Sequence, residues 1–133
     1  MRKALFITLL VLFVAVNAMA ITINISRSYR VGPDSVREGT IDFDASYPTN
    51  GEAVTHSDFN LSTSIRFVDI KNRTDASGNL KIFEYVPWVD ASGNVYEASG
   101  NIKVYDASSN VKEVGNGTSL SNLTGVKFKV LGY

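Results

Sequence analysis

The chain has 133 residues, with thirteen Lys and Arg against thirteen Asp and Glu, one His and no Cys. That length suits a single domain, and the missing Cys excludes disulfides and thiolate metal sites. A balanced charge excludes a basic nucleic-acid binder, whose footprint is a marked positive excess.

Met1-Arg2-Lys3 precedes an apolar run, Ala4 to Val16, in which only Thr8 is polar, and Asn17-Ala18-Met19-Ala20 follows with Ala18 and Ala20 as a small-x-small site. This is the three-part layout of a secretory signal peptide cleaved after Ala20. A membrane-spanning helix wants about 20 apolar residues, so stable insertion is not expected. The other reading is that translation starts at Met19. Either way residues 21–133 are expected to form one β-sandwich domain, with eleven basic against thirteen acidic side chains and a net charge of −2.

Ile21-Thr22-Ile23-Asn24-Ile25 alternates apolar and polar residues, as does Thr40-Ile41-Asp42-Phe43-Asp44. Near the C-terminus Val126, Phe128 and Val130 alternate with Lys127 and Lys129. Each pattern predicts a strand with one face on a core and one in water. Ile65-Arg66-Phe67-Val68-Asp69-Ile70 changes apolar phase between Phe67 and Val68, which predicts a bulge or burial on both faces. Leu80 to Val86 is apolar in both phases and predicts a strand covered on two sides.

Asp75-Ala76-Ser77-Gly78-Asn79 recurs unchanged at Asp90-Ala91-Ser92-Gly93-Asn94, shortened at Ala98-Ser99-Gly100-Asn101 and altered at Asp106-Ala107-Ser108-Ser109-Asn110. Asp and Ser start turns by bonding nearby backbone N–H groups, and Gly or Asn tolerates positive φ. Four turns at this spacing predict an antiparallel meander. A calcium loop needs several converging oxygen ligands, and each copy offers one Asp. Thr55-His56-Ser57-Asp58 has a capping-box outline that Asn60 soon ends, so one helical turn is expected. Pro33, Pro48 and Pro87 are placed in or beside turns, Pro87 at an edge or break of the strand it follows. The fold class expected is therefore all-β: a single antiparallel β-sandwich or barrel-like meander with short hairpin turns and at most one helical turn.

Catalytic chemistry finds little support. His56 has Ser57 and Asp58 as immediate neighbours, but adjacent residues do not point into one cleft as a nucleophile relay requires. Asp42 and Asp44 share a strand face opposite Ile41 and Phe43, and so are expected to face water rather than to form a glycosidase pair. No glycine-rich phosphate cradle occurs. The chain is therefore expected not to be an enzyme, with no catalytic, cofactor or metal residues assigned. Trp88 and Tyr85 together suggest an aromatic sugar platform, against the expectation that a large aromatic is buried or covers a sheet edge. Asn-x-Ser/Thr triplets at Asn24, Asn60, Asn72, Asn116 and Asn122 carry meaning only with eukaryotic secretion.

The most distinctive stretch is Gly39 to Thr55, containing Ser46-Tyr47-Pro48-Thr49-Asn50-Gly51-Glu52. It resembles a pattern of the small head decoration or cement proteins of tailed bacteriophages, in which a short strand enters Ser-Tyr-Pro-Thr-Gly-Gly-Glu. Here Asn50 replaces the first Gly, and Asp58-Phe59-Asn60-Leu61 stands where that family has an Asp-Leu-Gly-Leu-like stretch. Gly117 to Val126 resembles the family's ending, a Thr-Asp-Leu-Ser turn into the last strand, with Ser119 in place of Asp, and Met19-Ala20-Ile21-Thr22 resembles its common opening. The likeness runs loosely from about Arg30 to Tyr133. It implies a non-enzymatic virion protein on the capsid exterior, bound to the major capsid protein lattice, often as a trimer or other symmetric homo-oligomer, without nucleic acid or cofactor. A genuine leader implies instead a secreted, periplasmic or cell-surface β-sandwich with a binding or adhesive role. The binding face stays unassigned. On the residues alone, Tyr47 to Gly51 is a tight turn in which Pro48 fixes φ, Asn50-Gly51 supplies positive φ and Tyr47 covers the end of the core.

Overall fold

A computed structural model of the protein describes residues 21–108 and 110–133. The leader expected over Met1–Ala20, and with it the choice between cleavage and a start at Met19, lies outside them. The described residues form two antiparallel sheets. The first has strand order β1 (Ile21–Val31), β2 (Asp34–Phe43), β9 (Val126–Gly132) and β4 (Ile65–Ile70). In the second, β7 (Val95–Asp106) lies between β6 (Leu80–Val89) and β3 (Glu52–Thr55). The two-residue strands β5 (Arg73–Thr74) and β8 (Lys112–Glu113) pair with β6 and β7 respectively. The expected all-β sandwich is what the chain forms.

The alternating segments lie where their pattern puts them. Ile41 and Phe43 of β2 and Val126, Phe128 and Val130 of β9 are buried, while Lys127 is exposed. Across the core, Phe43 of the first sheet meets Phe83 of the second, ring centres 5.5 Å apart. β1 and β2 run further than the alternation marks, to a hairpin closed by Gly32-Pro33 with Gly32 at φ 60°. A two-residue hairpin turn with Gly at its first central position suits the strand twist. The phase change in β4 is a bulge between Ile65 and Phe67 that turns Arg66 and Phe67 both outward.

The helical turn is a single 3-10 turn, His56–Phe59. The Thr55 N–H donates to Asp58 Oδ2 at 2.6 Å, and Asn60 ends the turn at φ 54°. Phe59 is thereby placed edge-on to Phe128, at 5.4 Å. In the tight turn after Tyr47, the Gly51 N–H donates to the Pro48 carbonyl at 3.2 Å, with Asn50 and Gly51 at positive φ.

Two sequence expectations fail. Ala98 to Asn101 is not a turn but lies within β7, where Ser99 to Asn101 pair with β3 and Gly100 and Asn101 pair with β6. The true turns depend on Asp, which this copy lacks: Asp75 Oδ1 accepts the N–H groups of Ser77 and Asn79, both at 2.9 Å. Here Glu97, Ala98 and Ser99 bulge from the β6 ladder between the Trp88–Tyr96 and Pro87–Gly100 pairs, and the strand runs on through them. Nor is β6 covered on two sides. Lys81 and Phe83 are buried on its inner face, whereas Leu80 on the outer face is 44% exposed. Asp106 ends β7 and directs its carboxylate to Lys81.

The stretches Gly39–Thr55 and Gly117–Val126 pack against each other. The Phe43 N–H donates to the Leu123 carbonyl at 3.0 Å, Leu120 to Asp44 at 2.9 Å, Tyr47 to Thr118 at 3.0 Å and Gly117 to Tyr47 at 2.7 Å. Tyr47 is fully buried. Its hydroxyl donates to Glu113 Oε1 and accepts the Val104 N–H, each at 3.0 Å, tying this corner to the second sheet.

Candidate functional site

The sequence-derived candidates for chemistry do not converge. His56 is half-buried and its Nδ1 lies 2.9 Å from the Leu61 carbonyl, while Asp58 faces back to Thr55. Asp42 is half-buried and accepts the Gly125 N–H at 2.6 Å; Asp44 is exposed and accepts the Ser46 N–H at 2.8 Å. Both carboxylates fasten loops. Among the described residues no group of three or more acidic or His side chains forms a metal-binding cluster, and no helix is long and apolar enough to cross a membrane.

The buried charges are structural. The Lys81 ammonium sits between Asp106 and Asp75, 3.3 Å from the latter, with only 7% of the residue exposed. Each part is in place for a local reason: Asp75 is held by its turn, and Asp106 pairs with Lys81 across the β6–β7 ladder. Glu52, at the start of β3, is 4% exposed, and burial followed by the nearby Asp44 charge pushes its carboxyl up to about 7.

The distal parts of β6 and β7 form a two-stranded arm. β5 pairs only with Leu80 and Lys81, and β3 only with Ser99 to Ile102. Beyond Pro87 the pair therefore has no third strand on either side among the described residues. Pro87, which lacks an N–H, sits at an edge, beside a register shift between Pro87 and Trp88. Past that point Trp88 pairs with Tyr96 and Val89 with Val95. Their exposures are 52%, 45%, 46% and 57%. Four large apolar side chains thus cover both faces of one hairpin.

The tip is held firmly for an exposed hairpin. Asp90 Oδ1 accepts the N–H groups of Ser92 and Asn94 at 2.8 and 2.9 Å, and Oδ2 accepts the Asn94 amide at 2.9 Å. Gly93 takes the positive φ of 85° that this turn needs. The Asn94 side chain and the two backbone donors hold the Asp90 carboxyl below its usual range. The Trp88 and Tyr96 rings are 4.7 Å apart at 60°. At the base of the arm Trp88 overhangs a shallow hollow of about 350 Å³, floored by Val54, Ser99 and Gly100.

Of the two alternatives for Trp88, burial in the core fails, and Tyr85 does not join it in the aromatic platform that the sequence suggested. Tyr85 turns inward against Gly100, where a Cβ would lie 2.6 Å from its ring. Its hydroxyl is buried with no hydrogen-bond partner among the described residues, and burial pushes it up to about 12. Tyr96, Val89 and Val95 were missed. The signal was present: Trp88-Val89 and Val95-Tyr96 mirror each other about the Asp90–Asn94 turn, as cross-strand pairs of a hairpin must.

Fold and site together define a β-sandwich that presents a rigid aromatic hairpin. No family model, curated protein or solved structure matches the chain.

Proposed function

We propose that the chain is a non-enzymatic attachment protein that decorates or cements the outside of a bacteriophage capsid, contacting the coat lattice through the arm at Trp88 and Tyr96. The observation that carries the attachment role is the exposure of Trp88, Val89, Val95 and Tyr96 on a hairpin stiffened by Asp90. Trp and Tyr are the residues most often found as binding hot spots, and a contact made by a pre-ordered turn loses little entropy on binding. The coat lattice as partner comes from the resemblance of Ser46–Glu52 and Thr118–Ser121, two stretches that meet at one end of the sandwich. Repetition of modest contacts over a lattice multiplies their effect. Tryptic mass spectrometry of purified particles tests this reading: peptide Glu38–Arg66 is expected at a fixed ratio to coat protein, and its absence overturns it.

A second reading is a secreted or cell-surface binding module, favoured by the leader-like Met1–Ala20 sequence and by the hollow beneath Trp88, which suits a sugar ring or an apolar side chain. Export of the expressed chain with a new N-terminus at Ile21 supports that alternative over the first.

A further inference from the structure

The outer face of the first sheet carries an order that its register makes readable. Paired residues on antiparallel strands point to the same side. Tyr29 pairs with Val36, Val36 with Leu131 and Leu131 with Phe67, so these four side chains form one row across β1, β2, β9 and β4. The next inward-facing pair, Val68 with Val130, packs on the core, which places the row on the outside. Tyr29 is 37% and Phe67 55% exposed, while Val36 between them is buried yet stands apart from the core cluster. An apolar row therefore crosses this face, and Val31, paired with Asp34 at the hairpin end and 57% exposed, extends the apolar surface beyond it.

The adjacent row is charged. Arg27 pairs with Glu38, Glu38 with Lys129 and Lys129 with Asp69, so the signs run plus, minus, plus, minus. Within the chain, Arg27 and Lys129 each lie 3.5 Å from Glu38. Those contacts, with the Tyr29 hydroxyl donating to Glu38 at 2.7 Å, account for the alternation and for Tyr29 inside one molecule, but not for the exposed Phe67 in the row beside them.

We propose that this face is the contact between two copies of the chain, packed face to face about a two-fold axis that runs parallel to the strands between β2 and β9. Such an axis keeps every row on itself and reverses its order. Arg27 then faces Asp69 of the second copy, and Glu38 faces Lys129. In the apolar row Tyr29 faces Phe67, and Val36 faces Leu131. In the next row Asn24 and Thr40 face Lys71 and Lys127, so no like charges meet. A two-fold axis laid across the strands at the charged row would instead put Arg27 on Arg27 and Glu38 on Glu38. A C2 contact must be self-complementary, and this row order meets that condition. Aligned packing of two sheets also tolerates the twist such a face carries. The contact is independent of the capsid reading, because it uses the sheet opposite to the one that bears the arm.

Sedimentation equilibrium of the purified chain across a range of concentrations tests the proposal. The expected result is a monomer–dimer equilibrium. Glu38→Lys alone and Lys129→Glu alone are each expected to weaken it by about tenfold or more, through like charges across the contact. The double swap makes the row plus, plus, minus, minus, whose reversal is again complementary, and is expected to restore the dimer. Phe67→Ser, at an exposed position, is expected to abolish the dimer while circular dichroism stays native. A monomer at every concentration overturns the proposal, as does a dimer indifferent to Phe67→Ser or a double swap that fails to restore it. Loss of binding to coat protein with Phe67→Ser in a chain that never self-associates would also overturn it, since a different partner would then own the face.

Discussion

Glu52 is where burial and charge disagree most, and replacing it by Gln isolates the disagreement. The residue is 4% exposed, and its carboxyl is pushed from 4.5 up to about 7, by burial first and by Asp44 second. A carboxyl whose folded value is raised binds its proton more tightly in the folded state. Its ionisation therefore removes stability as pH rises from the unfolded value through the folded one, and the loss is complete above about pH 7. A displacement of about 2.5 units corresponds to about 3 kcal/mol at 1.36 kcal/mol per unit, an upper bound wherever water reaches the carboxylate. Gln has the shape of the protonated acid and does not titrate. Glu52→Gln is thus expected to match the parent at about pH 4.5 and to exceed it by about 2–3 kcal/mol at about pH 8. Urea unfolding of both proteins across that range measures the difference, and taking it cancels the other carboxylates, among them Asp75 and Asp90, which are lowered. A difference that does not change with pH, or Gln destabilising at the alkaline end, refutes the reasoning.

Tyr47→Phe removes the buried hydroxyl, leaving the Val104 N–H unmet and Glu113 with Lys103, and is expected to cost about 1–3 kcal/mol in equilibrium unfolding. Gly100→Ala would place a Cβ 2.5 Å from the Val86 carbonyl oxygen and 2.6 Å from the Tyr85 ring. It is expected to destabilise by about 1–3 kcal/mol and to alter Trp88 fluorescence, because the base of the arm must shift. Asp90→Ala is expected to raise hydrogen exchange at Ser92 and Asn94 while costing about 1 kcal/mol or less globally, since only the tip depends on those bonds. The matching change at Asp75 is expected to cost more, because that carboxylate also meets the buried Lys81.

Strands with one buried face were legible in the sequence because alternation survives wherever a single face meets the core, as in Ile41–Phe43 and Val126–Val130. β3 was not legible: it is four residues long and places Glu52 at a buried position. The two complete Asp-Ala-Ser-Gly-Asn turns were legible because their bonds are local. The shortened copy misled because Gly100 serves close packing against Tyr85, a contact that sequence proximity does not reveal. The exposure of Trp88 was hidden for a similar reason. It follows from β3 and β5 being too short to flank the arm, which is a property of neighbours rather than of the Trp88 segment. The rows on the first sheet depend on the bulges near Ser26 and Arg66, and an error of one residue there would exchange the two faces.

Attachment through the arm is tested most directly by quantitative co-sedimentation of the purified chain with heads that lack it, comparing wild type with Trp88→Ala/Tyr96→Ala. Wild-type protein is expected to saturate at a fixed ratio to coat subunits. The double variant, with unchanged circular dichroism, is expected to bind about thirtyfold more weakly, the equivalent of about 2 kcal/mol for a truncated aromatic hot spot. Equal binding by the two proteins, or no saturable binding by either, would contradict the account.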